Sequence, residues 1–132
     1  MKTNKMTKRT KPNQVPPIVI IDPLAEHGQM IENALRLAGH EVKLTRDSHQ
    51  GVNLCRSLGA NAAITCLYMP GQGLGTVAEL HDTFPKLSII AFCTSPGSTN
   101  LAGTARVFGA ARAMQESAQP RDLVIGVEEM LL

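Results

Sequence analysis

Short apolar runs alternate with longer amphipathic stretches along the chain from residue 18 to its end. The runs are rich in aliphatic and β-branched residues, which is typical of strands covered on both faces. The stretches between them place apolar residues three and four positions apart, which is the spacing of one helix face. The predicted strands are Ile18–Ile21, 41–45, Ala62–Leu67, 87–92 and 111–114.

The boundaries of the predicted helices carry residues with known end preferences. Asp47 and Ser48 can cap the N-terminus of the second helix. Gly39 and Gly59 stand where helices commonly end, and Pro120 stands at the start of the last helix. Five strand–helix units in this order predict an α/β fold of the flavodoxin-like type: a doubly wound, five-stranded parallel sheet flanked by five helices.

Candidate functional side chains stand at the carboxyl ends of three predicted strands. Asp22 follows the first strand, Cys66 lies at the end of the third, and Cys93 follows the fourth. In doubly wound sheets, ligands bind at this edge, close to the point where the strand order reverses. We therefore expect the functional site of this chain at the same edge.

Length and composition favour one small aliphatic domain. The chain has 132 residues, of which 3% are aromatic, and it contains no Trp. No apolar run approaches the roughly 18–20 residues of a membrane span, and the N-terminus lacks a signal-peptide pattern. These features predict a soluble, cytoplasmic protein that does not enter a membrane.

Charge divides the chain into two parts. Residues 1–17 carry five basic and no acidic side chains, whereas residues 18–132 carry eight basic and eleven acidic ones. We predict a basic, disordered N-terminal tail over 1–17 and one folded domain over 18–132. Because the tail lacks aromatic residues and helical patterning, nucleic acid is not an expected partner.

The potential metal ligands are dispersed along the sequence. Three cysteines at wide spacing, without a CxxC pair, indicate free thiols rather than a disulfide framework or a zinc site. The histidines lack paired ligand spacing and are predicted to be surface residues. We therefore expect no metal and no cofactor. The residues concerned are Cys55, Cys66, Cys93, His27, His40, His49 and His81.

The span 18–132 resembles the receiver domains of two-component response regulators. The resemblance rests on the strand spacing, on the Met-Pro-Gly loop at 69–71 and on the Phe-Gly-Ala turn at 108–110. It implies a signalling protein in a two-component or phosphorelay pathway. In that family, an aspartate at the end of the third strand accepts a phosphoryl group, and here this position is Cys66.

Other positions that the resemblance assigns to phosphorylation also depart from the family. The acidic pair that follows the first strand in the family is reduced here to one acid, and the Ser/Thr position after the fourth strand holds a cysteine with Thr94 beside it. Glu116 stands at the position of the family lysine, and Ala113 stands at the position of the aromatic switch residue. The resemblance thus implies a degenerate phosphorylation pocket. Its residues are Asp22, Pro23, Cys66, Cys93, Thr94, Ala113 and Glu116.

This degenerate pocket predicts a function without phosphoryl transfer. The family reaction needs a carboxylate nucleophile and a magnesium ion held by hard oxygen ligands, whereas Cys66 offers soft sulfur. We expect a phosphorylation-independent protein–protein interaction module that is not an enzyme. By analogy with the family, its partner is a signalling protein or a second copy of the chain, bound through the face formed by residues 99–132.

Two alternatives remain at this point. The first is a thiol-based redox sensor that uses Cys66 and Cys93, although nearby acids would raise the thiol pKa and so oppose reactivity. The second is a nucleotide or phosphate binder at the glycine-rich turn 71–76. That turn departs from GxGxxG at Thr76 and is not followed by a Walker lysine.

Overall fold

The structure is a computed structural model that describes residues 16–68, 72–94, 99–115 and 120–131. These residues form five strands and five helices that alternate along the chain. The strands are β1 (Ile18–Ile21), β2 (Val42–Thr45), β3 (Ala62–Leu67), β4 (Ser88–Cys93) and β5 (Arg112–Gln115). The helices are α1 (Ala25–Leu37), α2 (Ser48–Leu58), α3 (Leu74–Thr83), α4 (Thr99–Phe108) and α5 (Pro120–Leu131).

All strand pairs are parallel, and the strands lie in the order β2-β1-β3-β4-β5. This arrangement confirms the predicted doubly wound, flavodoxin-like fold. The order reverses between β1 and β3, so the carboxyl ends of these two strands form the expected site. β4 and β5 each lie one residue later than predicted, because the ladder that joins them extends to Cys93 and Gln115.

The sheet separates two apolar layers. α1 and α5 cover one face, where Leu35 and Leu123 are almost completely buried. α2, α3 and α4 cover the other face, where Val52 and Leu80 are buried. Because successive strand side chains point to opposite faces, Cys66 packs in the first layer and Leu67 in the second.

The helix ends follow the predicted capping chemistry. The Asp47 side chain caps α2 by accepting a hydrogen bond from the backbone N–H of His49 at 3.1 Å. Gly39 and Gly59 both have positive φ, at 96° and 62°, which glycine adopts without the steric cost of a Cβ. Within the part of the chain that the structure describes, no helix is long and apolar enough to span a bilayer. The predicted tail falls almost wholly on residues 1–15, outside the described residues, and stays a prediction.

Candidate functional site at the carboxyl ends of β1 and β3

Asp22 lies directly after β1, and its side chain is fully buried. Its Oδ1 accepts hydrogen bonds from the backbone N–H of Leu24 at 2.9 Å and from the Tyr68 hydroxyl at 2.5 Å. Its Oδ2 accepts a hydrogen bond from Nδ1 of His27 at 2.5 Å. A buried carboxylate is costly unless it is hydrogen-bonded, so these donors are what allow Asp22 to remain in the interior.

Three neighbouring elements supply the groups around this carboxylate. His27 lies in the first turn of α1, and Tyr68 follows β3, which pairs directly with β1. Cys66 lies on the α1/α5 face of β3, with its thiol close to the Asp22 carboxylate. We call Asp22, His27, Cys66 and Tyr68 the Asp22 cluster. One potential ligand atom from each of Asp22, His27 and Cys66 lies within 4.8 Å of the other two.

Aromatic rings enclose the cluster on one side. The His27 ring packs edge-to-face against the Phe92 ring of β4, with ring centroids 5.3 Å apart. It also packs edge-to-face against the Tyr68 ring, with ring centroids 6.3 Å apart. The His27 side chain is 19% exposed, whereas Asp22 is fully buried and Cys66 is 1% exposed. His27 therefore links a buried carboxylate and thiol to solvent.

The Cys66 thiol lies in surroundings that disfavour its thiolate. Burial raises the pKa of Cys66 well above its usual range, and the negative charge and hydrogen bond of Asp22 raise it further. Burial also raises the pKa of Cys93, although the nearby Arg106 lowers it in part. Because the thiolate is the reactive form, both side chains are poor nucleophiles at neutral pH.

The two cysteines of the predicted site lie on neighbouring strands, as expected, but they point to opposite faces of the sheet. Cys66 is opposite Phe92 in the ladder, whereas Cys93 is opposite Leu67. Cys66 packs under α1 and α5, and Cys93 packs in the layer of α2, α3 and α4. A disulfide needs the two Cβ atoms to face each other, so this register does not favour a Cys66–Cys93 redox pair.

The remaining predicted site residues are engaged elsewhere or lie outside the described residues. The Thr94 hydroxyl donates a hydrogen bond to the Leu67 carbonyl at 2.8 Å, and the Pro23 carbonyl accepts one from Nε of Arg46 at 3.1 Å. Ala113 is half-buried in β5 and packs against the α2–α4 layer. Glu116 falls outside the described residues. Of the predicted set, Asp22 and Cys66 are the two that the structure brings together in the Asp22 cluster.

Two members of the cluster, His27 and Tyr68, were not among the predicted site residues. The prediction that His27 is a surface histidine is wrong, because its ring is largely enclosed and bonded to Asp22. The available signal was positional: His27 follows Asp22 by five residues, and Tyr68 follows Cys66 by two, which puts all of them near one strand edge.

The glycine-rich turn packs closely against the end of β3. Gly73 has a φ of 104°, and a Cβ at this position would lie 2.7 Å from Leu67 Cδ2 and 3.0 Å from the Cys66 carbonyl oxygen. A cavity lined in part by Gly73 and Thr76 has a volume of about 50 Å³. Small-molecule sites usually measure about 300–1,000 Å³, so this cavity does not favour a nucleotide. The glycine serves the tight turn.

The donor set of the Asp22 cluster does not fit magnesium. Mg²⁺ requires near-octahedral oxygen coordination, which carboxylates and waters usually supply. The cluster instead combines one carboxylate with an imidazole, a thiol and a phenol. Pro23 stands where the resemblance would place a second acid, so it adds no side-chain ligand.

Thiol labelling tests this description of the cysteines. Cys55, Cys66 and Cys93 are each at most 3% exposed, and burial raises the pKa of Cys55 to about 11. We expect the native chain at pH 8 to react with iodoacetamide far more slowly than free cysteine, and the urea-unfolded chain to gain three adducts, counted by intact mass. Labelling of Cys66 in the native chain at the rate of free cysteine would contradict the burial argument.

Comparison with solved structures agrees with the topology. A response regulator receiver domain protein (CheY-like) from Methanospirillum hungatei superposes with a TM-score of 0.79 at 20% identity, over 89% of this chain and 94% of that one. A receiver domain protein from Clostridium thermocellum has a TM-score of 0.78 at 22% identity, with the same coverage of both chains. The receiver domain of NtrX from Brucella abortus has a TM-score of 0.79 at 18% identity, over 86% and 97%.

No protein-family model and no curated protein matches the sequence. The structural neighbours nevertheless cover most of the chain and nearly all of their own length. At this level of identity, the likeness concerns the fold. The chain therefore has the fold of response-regulator receiver domains, with the Asp22 cluster at the strand edge where functional sites of such sheets lie.

Proposed function

We propose that this chain is a receiver-like signalling protein of the cytoplasm that acts in a two-component or phosphorelay pathway. It binds a protein partner without first being phosphorylated and catalyses no reaction of its own. The observation that carries this proposal is the Asp22 cluster. Its carboxylate is already hydrogen-bonded to Tyr68, His27 and Leu24, and Cys66, at the position that the resemblance assigns to the phosphoacceptor, is a protonated thiol.

The chemistry of the cluster argues against phosphoryl transfer. An acyl phosphate forms on a carboxylate, and Cys66 supplies sulfur that stays protonated at neutral pH. Magnesium would have to displace the Tyr68 and His27 hydrogen bonds from Asp22, and it would gain a single carboxylate in exchange. The fold is that of a receiver domain, but phosphoryl transfer is disfavoured. The proposed function is therefore the binding of a partner through the protein surface.

The face formed by residues 99–132 has features of a partner surface. Val107 at the end of α4 is 84% exposed and Ile125 of α5 is 50% exposed, so both side chains are available to a partner. Arg112 of β5 and Glu129 of α5 form an ion pair of 2.8 Å on the same part of the fold. Apolar anchors beside charged residues are typical of protein interfaces. The partner is a signalling protein or a second copy of the chain.

Incubation with acetyl phosphate and Mg²⁺, followed by intact-mass analysis, tests the phosphorylation part of the proposal. We expect no phosphoryl adduct on the native chain, because no carboxylate stands at position 66. A receiver domain that retains its aspartate is the positive control under the same conditions. A stoichiometric adduct on the native chain would overturn this part of the proposal.

Substitution on the proposed face tests the binding part. We expect Val107→Asp and Ile125→Asp each to weaken co-purification of the partner, or self-association seen by light scattering, by about tenfold or more. Leu37→Asp is the matched control, because Leu37 is 90% exposed at the end of α1, outside the proposed face. Equal weakening by all three substitutions, or by none, would contradict the assignment of the face.

A further inference from the structure

We propose that the Asp22 cluster is a binding site for one thiophilic divalent cation of the zinc class, with Asp22, His27 and Cys66 as its protein ligands. This proposal goes beyond the proposed function and does not depend on the partner face. It also departs from the sequence analysis, which predicted no metal, because the three ligands are separated in sequence and meet only in the fold.

The chemical identity of the three ligands points to this class of ion. Zn²⁺ and Co²⁺ are bound in proteins by carboxylate oxygen, imidazole nitrogen and thiolate sulfur, often with three protein ligands and one further position. Asp22, His27 and Cys66 supply one atom of each kind, and the three atoms lie within 4.8 Å of one another. Magnesium and calcium, which prefer oxygen alone, are disfavoured by the same set.

The spacing of the ligand atoms is close to that of a tetrahedral site. Zn–O and Zn–N bonds of about 2.0–2.1 Å at a tetrahedral angle separate oxygen and nitrogen by about 3.3 Å. Oδ2 of Asp22 and Nδ1 of His27 are now 2.5 Å apart, because a proton joins them. An ion in place of that proton would separate the two atoms by less than about 1 Å more, which side-chain rotation can supply.

Protons now hold the positions that the ion would take. Nδ1 of His27 donates a hydrogen bond to the Asp22 carboxylate, and the protonated Cys66 thiol lies close to the same carboxylate. Binding would release the thiol proton and leave Nδ1 unprotonated, so that sulfur and nitrogen bind the ion alongside the carboxylate oxygen. A divalent cation with one carboxylate and one thiolate is electrically neutral, and neutrality is favourable for a buried site.

The structure also offers a fourth ligand position and a path to solvent. The Tyr68 hydroxyl lies 2.5 Å from Oδ1 of Asp22 and 3.5 Å from Nδ1 of His27, at the partly exposed side of the cluster. Either this hydroxyl or a water molecule can complete a tetrahedron there. The 19% exposure of the His27 side chain marks the side from which an ion enters.

Cobalt titration of the full, tag-free chain tests the proposal. After dialysis against a chelator and its removal, Co²⁺ is added while the near-ultraviolet thiolate-to-cobalt band and the visible d–d bands are recorded. Zn²⁺ is then added as a competitor, and native mass spectrometry counts bound ions. We expect one Co²⁺ per chain with a thiolate band, complete displacement by one equivalent of Zn²⁺, and no displacement by excess Mg²⁺.

Matched variants distinguish this site from adventitious binding. Cys66→Ala should abolish the thiolate-to-cobalt band. Cys66→Ala and His27→Gln should each weaken Zn²⁺ binding by about 100-fold or more, because each removes a metal ligand. The loss of a hydrogen bond that only supports a ligand usually weakens metal binding by about 10–100-fold. Cys93→Ala and His40→Gln are the controls: Cys93 is buried on the opposite face, and His40 bonds Glu128. Both controls should bind the ion as the parent chain does.

The wild-type chain alone can overturn the proposal, whether or not a variant folds. Absence of a thiolate band at saturating Co²⁺, or displacement of cobalt by Mg²⁺, would overturn it. So would a band that persists in folded Cys66→Ala, with folding checked by circular dichroism. Failure of this test would leave the proposed function unchanged, because that function is measured by partner binding and by the phosphodonor experiment.

Discussion

Replacement of Asp22 by alanine is expected to lower the free energy of unfolding by about 1–3 kcal/mol, the cost of leaving interior polar groups without their partner. The substitution leaves the Tyr68 hydroxyl, the His27 ring and the Leu24 N–H without their buried acceptor. These donors are only partly buried, so water replaces part of the lost hydrogen bonding and the combined cost stays within this range. Urea unfolding at pH 7 in the presence of EDTA measures the effect without a contribution from bound metal.

Asp22→Asn is the matched control for this experiment. The amide keeps an acceptor oxygen of the same shape for Tyr68 and Leu24, and it loses only the charge and the acceptor for His27. We expect it to cost about half as much as the alanine variant, with an unchanged urea m-value. An alanine variant as stable as the parent chain would show that the carboxylate does not organise this edge of the sheet.

Gly51→Ala is expected to destabilise the fold by about 1–3 kcal/mol, the usual cost of overpacking a core. Gly51 is buried in α2, and an added Cβ would lie 2.3 Å from Cδ1 and 2.5 Å from Cγ1 of Ile21. Ile21 is 3% exposed in β1 and immediately precedes Asp22, so its displacement would also disturb the Asp22 cluster. The packing cost exceeds the helix-propensity gain of about 0.5–1 kcal/mol that alanine brings over glycine.

Gly103→Ala isolates the helix-propensity term. Gly103 is exposed in α4, and an added Cβ there would meet no atom of another element within 4 Å. We expect this variant to be more stable than the parent by about 0.5–1 kcal/mol. Thermal or urea unfolding of the two variants should therefore show shifts of opposite sign. Shifts of the same sign and size would mean that close packing at Gly51 does not decide the outcome.

Much of the fold could be predicted because it depends on local patterns. An all-aliphatic run such as Ile18–Ile21 predicts a strand buried on both faces, and the structure confirms these bounds. Glycines at 39 and 59 marked helix ends because a residue without a Cβ tolerates positive φ. The parallel, doubly wound order then followed from the alternation of strands and helices and from the preferred handedness of their connections.

The sequence predicted the strand edge of the candidate site but not the full set of side chains that meet there. Strand ends located Asp22 and Cys66, whereas the contacts of His27 and Tyr68 depend on how α1 and the residue after β3 pack over that edge. The redox alternative had a similar dependence on geometry. Whether Cys66 and Cys93 share a face depends on a one-residue register between β3 and β4, which reverses the direction of every side chain.

The sequence by itself determined that Cys66 stands at the end of a buried strand, in a chain with the pattern of a doubly wound sheet. Only the tertiary structure decided what surrounds that thiol. Periodicity reports which face of an element is buried, and it carries no information about which polar groups from separate elements meet at a strand edge. The cluster of a carboxylate, an imidazole, a phenol and a thiol arises from packing, and both the proposed metal site and the proposed absence of phosphoryl transfer depend on it.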